Sequence, residues 1–242
     1  VVGIEIDHDC ATAALADYAR WLRRARPPGV RWSITALPTW AGDPALAAVA
    51  DAVDELVVQV HAIRAPTIFD PVAARAGLAR FASAVPGHAL RVALPTYAVA
   101  VGGAIERADP REVAGFVREL ERAPIDGVTG VVWFRLPVAT DLAAWPAATL
   151  RAVITGAPLD GAVATRLVAT GPGLYDIVIA NGGALDAPWP ALRMSGAIAA
   201  VDLVGGYVRR GDRYAPPARV VRPGAEIVVG WIRGQELHVD AP

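Results

Sequence analysis

Three carboxylates alternate with other residues near the start of the chain, in the order Glu5-Ile6-Asp7-His8-Asp9. Because successive side chains of a β-strand point to opposite faces, we expect Glu5, Asp7 and Asp9 on one face of a strand. At a spacing of ~6–7 Å and an effective dielectric near 20, neighbouring charges repel by roughly 2–3 kcal/mol, about two pKa units. One acid is then expected to stay protonated and to act as a general acid beside an ionised partner. The alternative is that these acids are solvated or paired with arginines.

Aromatic and polar side chains follow at the ends of the next predicted strands. Aromatic rings stack on the C–H faces of sugars, and polar groups beside them hydrogen-bond the hydroxyls. As a set on successive strand ends they predict a carbohydrate-binding cleft, although each aromatic residue taken singly would fit core or rim packing. The candidate substrate-binding residues are Trp40, Gln59, His61, Tyr97, Trp133 and Arg135.

A metal site is the competing interpretation of the same acids. Asp7 and Asp9 together with His61 could ligate a divalent ion, as in polysaccharide deacetylases. His8 is expected to face away from the acids, and no second suitably spaced histidine is present, so we predict neither a metal nor another cofactor. Cys10 is the one cysteine, which excludes an internal disulfide and a multi-cysteine metal site.

Up to about residue 155 the sequence alternates predicted strands and helices. Several of these helices begin with Asp-Pro, because the Asp side chain caps the free N–H groups of the first turn and the φ angle of Pro is already the helical one. This predicts a parallel sheet covered by helices. Both an open doubly wound sheet and the last five strands of a (β/α)8 barrel fit. No Gly-rich phosphate turn follows a strand, which disfavours nucleotide binding. The predicted strands span residues 2–9, 31–37, 55–63, 90–94 and 130–136, and the Asp-Pro pairs lie at 43–44, 70–71 and 109–110. A further helix is predicted over residues 141–154.

After that point Gly and Pro turns separate short apolar strands, and no helical period continues. This predicts a β-sandwich of roughly 80 residues, in the size range of small immunoglobulin-like modules. We therefore expect a partial (β/α)8 barrel over residues 1–157 and a β-sandwich accessory domain over residues 158–242. The five last predicted strands span residues 165–169, 174–180, 197–207, 226–232 and 236–239.

Composition narrows the class of protein. The 242 residues are 54 % hydrophobic and 19 % charged, which excludes a disordered chain. A formal net charge of −1 gives no electrostatic basis for binding nucleic acid or an anionic membrane. Mean hydropathy is +0.38, yet no apolar stretch reaches the ~18 residues of a spanning helix. The chain reads as the later part of a longer protein, so a signal peptide or lipobox upstream would direct export to the periplasm or as a lipoprotein.

Short segments resemble family 18 (chitinase-type) glycoside hydrolases, in matching order. Gly3–Asp9 is similar to their Gly-Ile-Asp-Ile-Asp-Trp-Glu segment on barrel strand four. Asp54–Ala62 is similar to strand six, which typically ends Met-x-Tyr-Asp, and Leu90–Ala98 to strand seven, Gly-x-Pro-x-Tyr-Gly. Trp133 falls where strand eight carries the Trp that floors the sugar site. The resemblance implies the barrel rather than the doubly wound sheet.

By this resemblance Asp9 would be the general acid. Asp7 would be the carboxylate that supports the N-acetyl group of the substrate, which acts as the nucleophile. Tyr97 would be retained, whereas Gln59 and His61 would replace the Met and Tyr of strand six. Two departures stand out. Asp9 is one C–C bond (~1.5 Å) shorter than the family's Glu, and Ala62 stands where the family has an Asp.

The whole chain more closely resembles an uncharacterised bacterial family, the domain of unknown function 3142. The strings that carry this resemblance are Ile-Asp-x-Asp-Cys, Ser-Ile-Thr-Ala-Leu-Pro, Gln-Val-His-Ala, Ala-Leu-Pro-Thr-Tyr and Val-Trp-Phe-Arg-Leu-Pro. No activity follows from that family. The sequence therefore predicts a carbohydrate-active hydrolase, with two alternatives: a sugar-binding pseudoenzyme of the same fold, and a metal-dependent polysaccharide deacetylase.

Overall fold

The computed structural model of the protein describes residues 3–62, 67–138 and 140–241. By its internal contacts the chain divides into two compact units, residues 1–145 and 146–242. The sequence placed this boundary later, after residue 157. The difference arises because the helix Ala147–Thr155 belongs to the second unit, where the Thr149 hydroxyl donates a hydrogen bond to the Ala184 carbonyl (2.6 Å).

The first unit is built on a parallel sheet whose neighbouring strands follow one another in chain order: Gly3–Ile6, Arg31–Ala36, Glu55–Gln59, Leu90–Pro95 and Val128–Phe134. All four pairings are parallel, as expected from the alternating pattern. The elements of this unit are β1 (Gly3–Ile6), α1 (Leu15–Ala25), β2 (Arg31–Ala36), α2 (Leu46–Ala50), β3 (Glu55–Gln59), α3 (Pro71–Ala84), β4 (Leu90–Pro95), β5 (Ala98–Val101), β6 (Ala104–Arg107), α4 (Pro110–Arg122) and β7 (Val128–Phe134).

The two faces of the parallel sheet differ in chemistry. One face is apolar: Ile34, Leu56 and Leu94 are fully buried there. The register places polar side chains on the opposite face, where Glu5 pairs with Ser33 and Ser33 pairs with Glu55. We call this second surface the polar face of the sheet. Its side chains need hydrogen-bond or ionic partners, because burying an unpaired charge is costly.

Asp-Pro pairs begin the two longest helices of the first unit, as predicted. The Asp70 carboxylate accepts hydrogen bonds from the backbone N–H groups of Val72 (2.9 Å) and Ala73 (3.0 Å), at the start of α3. The Asp109 carboxylate accepts from the Arg111 N–H (2.8 Å), at the start of α4. These side chains satisfy N–H groups that have no partner inside the helix.

Two helices and one hairpin differ from the sequence prediction. The helix expected after Asp43-Pro44 is only the short α2, and the helix expected from residue 141 begins at Ala147, directly after Pro146. The hairpin of β5 and β6 was not predicted, although Gly102-Gly103 between two apolar runs is a hairpin signal. Strand β3 ends at Gln59 rather than residue 63, which lies outside the described residues.

The second unit consists of one helix and two antiparallel sheets. The larger sheet has the strand order β12-β13-β11-β15-β9-β8, and β10 pairs with β14. The last strand is continuous where the sequence predicted two. The elements are α5 (Ala147–Thr155), β8 (Val163–Gly171), β9 (Leu174–Asn181), β10 (Ala187–Pro188), β11 (Leu192–Leu203), β12 (Val208–Arg210), β13 (Arg213–Ala215), β14 (Val220–Val221) and β15 (Glu226–Asp240).

A buried asparagine ties the turns of the second unit together. Asn181 is 2 % exposed, and its amide N–H groups donate to the carbonyls of Leu185 and Val221, both at 2.8 Å. Its side-chain oxygen accepts from the N–H groups of Ala162 (3.1 Å) and Gly183 (2.9 Å). Asn181, which begins the Asn-Gly-Gly segment 181–183, is therefore a hydrogen-bonding centre of the fold.

Across the described residues, the helices are all too short or too polar to span a membrane.

Candidate functional site

Glu5 lies on the polar face of the parallel sheet. Its neighbours Ile4 and Ile6 pair with Trp32 and Ile34 on the apolar face, so the alternation of the strand turns Glu5 the other way. A Glu5 carboxylate oxygen accepts a hydrogen bond from the Thr35 hydroxyl on the next strand (3.4 Å). The expected strand ends at Ile6, so only Glu5 of the three acids lies on it; Asp7 and Asp9 follow beyond its end, and all three acids are exposed to solvent.

The surroundings of Glu5 favour its protonated form. Burial raises the pKa of the Glu5 carboxyl, with the Thr35 hydrogen bond acting against it and the negative charges of Asp7 and Glu55 adding to it. The positive charge of Arg91 lowers that pKa by a smaller amount. Glu5 and Asp7 are therefore close enough to interact electrostatically.

The arginines of the polar face pair with a different acid. Glu55 is almost completely buried, and one of its oxygens accepts hydrogen bonds from Arg31 (3.2 Å) and Arg91 (3.0 Å). Within the described residues no ion pair joins an arginine to Glu5, Asp7 or Asp9. The alternative that arginines neutralise the three acids is therefore not what this part of the chain shows.

An aromatic cluster lies at the carboxyl ends of β3, β4 and β7. His61 Nδ1 is 3.2 Å from the Tyr97 hydroxyl, and the His61 ring stacks on Phe134 with centroids 5.5 Å apart and planes 20° apart. Tyr97 meets Phe134 edge-on at 5.7 Å. His61 is 3 % exposed whereas Phe134 is 44 % exposed. The cluster thus presents one open aromatic ring over a buried imidazole.

His61 is held neutral at physiological pH. Burial lowers the pKa of His61 to about 4, and the charge of Asp7 opposes this only in part. Within the described residues its Nε2 atom is buried and has no hydrogen-bond partner. A neutral imidazole nitrogen can donate or accept a hydrogen bond according to its tautomer, but this atom is enclosed by the protein, so the surface that the cluster offers to a ligand is the Phe134 ring.

The backbone that carries His61 is fixed on both sides. The Gln59 side-chain amide donates to the His61 carbonyl (3.3 Å). Ala62 has a φ of +56°, a left-handed conformation that costs a non-glycine residue roughly 1–2 kcal/mol. The Ala62 N–H donates to the Ile68 carbonyl (2.7 Å), which helps to hold this conformation. Gln59, predicted to bind substrate directly, acts in this structure by positioning the residue beside it.

Arg135 is committed to an ion pair at the end of β7. Its guanidinium contacts both oxygens of Asp141, at 2.5 and 2.7 Å. This hydrogen-bonded pairing holds the pKa of Asp141 below its usual value. The Thr96 hydroxyl donates a hydrogen bond to the Arg135 carbonyl, and the Arg135 charge lowers the pKa of Tyr97 against the larger effect of burial. Arg135 therefore connects the ends of β4 and β7.

Two tryptophans predicted to line the site do not do so. Trp40 has no exposed surface, and its indole N–H donates to the Cys10 carbonyl (3.0 Å), so it is a core residue. Trp133 pairs with the buried Leu94 on the apolar face of the sheet, whereas the next residue, Phe134, is on the open side. Sequence reasoning missed Phe134, because the alternation of Trp and Phe along a strand gives no sign of which one faces the helices.

One family model matches part of the chain. Residues 1–108 match the model of a family described as a domain of unknown function, DUF3142. This confirms the resemblance seen in the sequence, over the segment that contains β1 to β6. No match was found among curated proteins.

Two solved structures are similar to the chain at low identity. A structure described as a sporulation-specific glycosylase, ydhD, from Bacillus subtilis is 14 % identical with a TM-score of 0.35, covering 50 % of this chain and 46 % of its own. The chitinase ChiA74 from Bacillus thuringiensis is 8 % identical with a TM-score of 0.40, covering 99 % of this chain and 74 % of its own. The chain thus spans about half the length of the first of these structures.

The described residues contain no group of three or more His, Cys, Asp or Glu side chains placed to hold a metal ion. What they do contain is a pair of interacting acids, Glu5 and Asp7, together with a neutral histidine that interacts with Asp7 and stacks on an exposed phenylalanine. Asp9 follows them as an exposed residue just beyond β1. Such a set can donate a proton, stabilise a positive charge and pack against an apolar ring face.

Proposed function

We propose that this protein is a glycoside hydrolase-like, carbohydrate-active protein whose site lies at the carboxyl ends of the parallel strands. Asp9 acts as the general acid and Asp7 as the supporting carboxylate. The observation that carries the proposal is that Asp7, just beyond the end of β1, interacts electrostatically both with Glu5 and with His61 of the aromatic cluster. In α/β folds with parallel strands this end of the sheet is where ligands bind.

Each group has a role in glycoside cleavage. Asp9 protonates the leaving oxygen, while the negative charge of Asp7 stabilises the oxocarbenium-like transition state or orients a substrate N-acetyl group. Glu5 supports Asp7 from the end strand of the sheet, since the negative charge of Asp7 is one of the causes that raise the pKa of Glu5. Phe134 offers its open ring to a C–H face of the sugar.

The sheet order supports a barrel as the frame of this site. Parallel strands that follow one another in chain order, with one apolar face and one polar face, are what a segment of a (β/α)8 barrel contributes. A doubly wound sheet would reverse its strand order at the ligand site, and no such reversal occurs in this sheet. We therefore propose that the first unit is a barrel segment.

An assay of product type tests the function. The full chain is incubated with a panel of soluble oligosaccharides, including N-acetylated ones, and the products are analysed. We expect new reducing ends, because the site is built for bond cleavage by acids. Free acetate without reducing ends would instead indicate the deacetylase. No product from any member would contradict the hydrolase.

A sugar-binding pseudoenzyme is the second candidate. It is favoured by the buried, neutral His61, whose pKa of about 4 makes it a poor proton shuttle near neutral pH, beside the exposed ring of Phe134. Ala62 also favours the pseudoenzyme, because the family 18 glycoside hydrolases have an Asp at this position and the chain has no carboxylate there. Binding of an oligosaccharide without any product in the same assay would identify this second function.

A further inference from the structure

We propose that the second unit carries a separate binding site for a neutral saccharide, centred on Trp231 and flanked by Asp176 and Asp202. Trp231 lies in the middle of the six-stranded sheet, on β15, which runs between β9 and β11. Its side chain is 37 % exposed. The sequence analysis assigned no role to any of these residues.

The strand register brings the two carboxylates to either side of the indole. Trp231 pairs directly with Asp176 on β9 and with Asp202 on β11. Directly opposed residues of antiparallel strands share a face, with Cβ atoms about 4.5–5.5 Å apart. The three side chains therefore form a row across the sheet, perpendicular to the strands.

This row lies on the face opposite the core of the second unit. Ile232 and Ile177, the chain neighbours of Trp231 and Asp176, are fully buried in the hydrophobic core cluster. Val201 and Leu203, on either side of Asp202, also pack against that cluster. Because strand residues alternate between faces, Trp231, Asp176 and Asp202 point away from the core.

The chemistry of the row matches a sugar. An indole ring offers a flat apolar surface for the C–H groups of a pyranose ring, and its N–H remains available as a donor. Carboxylates on both sides accept hydrogen bonds from the hydroxyls at the rim of that ring, and hydrogen bonds to a charged group are the stronger kind. The described residues place no ion-pair partner on Asp176 or Asp202.

The same carboxylates disfavour other occupants. A protein partner with an apolar surface would bury two charges without partners, which is costly. A uronic-acid or sulfated polymer would bring negative charge next to both aspartates, and like charges placed together are unfavourable. A neutral saccharide avoids both penalties, because it brings hydroxyl donors and no charge.

Affinity gel electrophoresis of the full chain tests the site. The probes are hydroxyethylcellulose and glycol chitin as neutral polysaccharides and alginate as the anionic one. We expect at least one neutral probe to retard the wild type, Trp231→Ala to weaken that binding by tenfold or more, and alginate to have no effect. Trp231→Tyr should keep most of the retardation, because it retains an aromatic platform.

A matched control uses another exposed tryptophan. Trp21, on α1 in the first unit, is 44 % exposed, and Trp21→Ala should bind like the wild type. Thermal unfolding of Trp231→Ala must match the wild type, and if it does not, Asp202→Ala takes its place with the same expected loss. Absence of retardation by both neutral probes, or equal binding by the wild type and these variants, would overturn the proposal.

This site is separable from the proposed hydrolase site. Trp231→Ala should leave the cleavage of short soluble oligosaccharides unchanged, since all the acids proposed for cleavage lie in the first unit. Conversely, a chain that cleaves nothing can still be retarded by a neutral polysaccharide. The two proposals therefore fail in different experiments.

Discussion

Individual side chains decide whether the first unit can cleave a glycoside. Glu5 and Asp7 interact, and His61 is buried and neutral between Tyr97 and Phe134. The sequence predicted roles for the acids, Tyr97 and His61, because their spacing and strand-end positions are readable from the chain. It chose Trp40 and Trp133 over Phe134, because the choice between adjacent aromatics depends on register, which only the assembled sheet fixes.

The first prediction at this scale concerns Asp9. Replacing Asp9 by Asn keeps the shape of the side chain and removes its proton, so turnover should fall by about 10²–10⁴ while oligosaccharide affinity changes little. Steady-state kinetics and calorimetric binding measure the two effects. Full turnover by Asp9→Asn would show that another group donates the proton, and Glu5→Gln would then be the variant to assay.

The second residue-scale prediction concerns pH and His61. Its pKa is about 4 in the folded protein and about 6.5 in an unfolded chain. As pH falls from 6.5 to 4, the unfolded state takes up the proton first, so the folded state should lose about 3 kcal/mol from this residue. Above pH 6.5 the effect vanishes. His61→Gln removes it, and urea unfolding at pH 7.5 and pH 4.5 should show a smaller pH-dependent loss than in the wild type.

Glu5 serves as a control, because its contribution to stability should change with pH in the opposite direction to that of His61. Its folded pKa is raised, so its contribution to stability is present at low pH and is lost as pH rises through that pKa. Glu5→Gln should therefore increase the loss of stability between pH 7.5 and pH 4.5, whereas His61→Gln should reduce it. Equal slopes for both variants and the wild type would contradict the buried, neutral state of His61.

Secondary-structure elements were predictable where local chemistry determines them. Helices α3 and α4 begin at Asp70-Pro71 and Asp109-Pro110, because capping and the fixed φ of proline act within a few residues. The same signal at Asp43 gives only a short helix, and Asp141 caps a turn, accepting hydrogen bonds from the N–H groups of Ala143 and Ala144. These outcomes depend on tertiary neighbours rather than on propensity.

A prediction at the element scale concerns Asn181, which connects β9 to β14 and the neighbouring turns. Asn181→Ala leaves two buried carbonyls and two N–H groups without their partner. The free energy of unfolding should fall by about 3 kcal/mol, because buried unsatisfied groups are costly. Thr170→Ala, which removes an exposed hydroxyl of the same unit, should change it by about 0.5 kcal/mol or less. Chemical denaturation compares them, and equal losses would show that the Asn181 network is replaceable by water.

At the scale of the whole molecule, the two units divide the proposed work. Every acid and aromatic residue of the candidate cleavage site lies in residues 1–145, and the Trp231 row lies in residues 146–242. The sequence identified two parts from the change in pattern near residue 155. It misplaced the boundary because α5 is a helix that packs in the β-rich unit, and helical periodicity does not say to which partner a helix belongs.

The division into two units predicts how a substitution that destabilises one unit affects the other. In calorimetry, Asn181→Ala should shift only the transition that belongs to the second unit, since each unit has its own internal contacts. At temperatures below that transition the variant should cleave short oligosaccharides at the wild-type rate, because Asp7, Asp9 and His61 are untouched. Its rate on an insoluble polymer should fall once the second unit unfolds, as the saccharide contact at Trp231 is lost. A single transition that moves as one, with activity on short substrates lost in parallel, would show instead that the two units fold as one cooperative body.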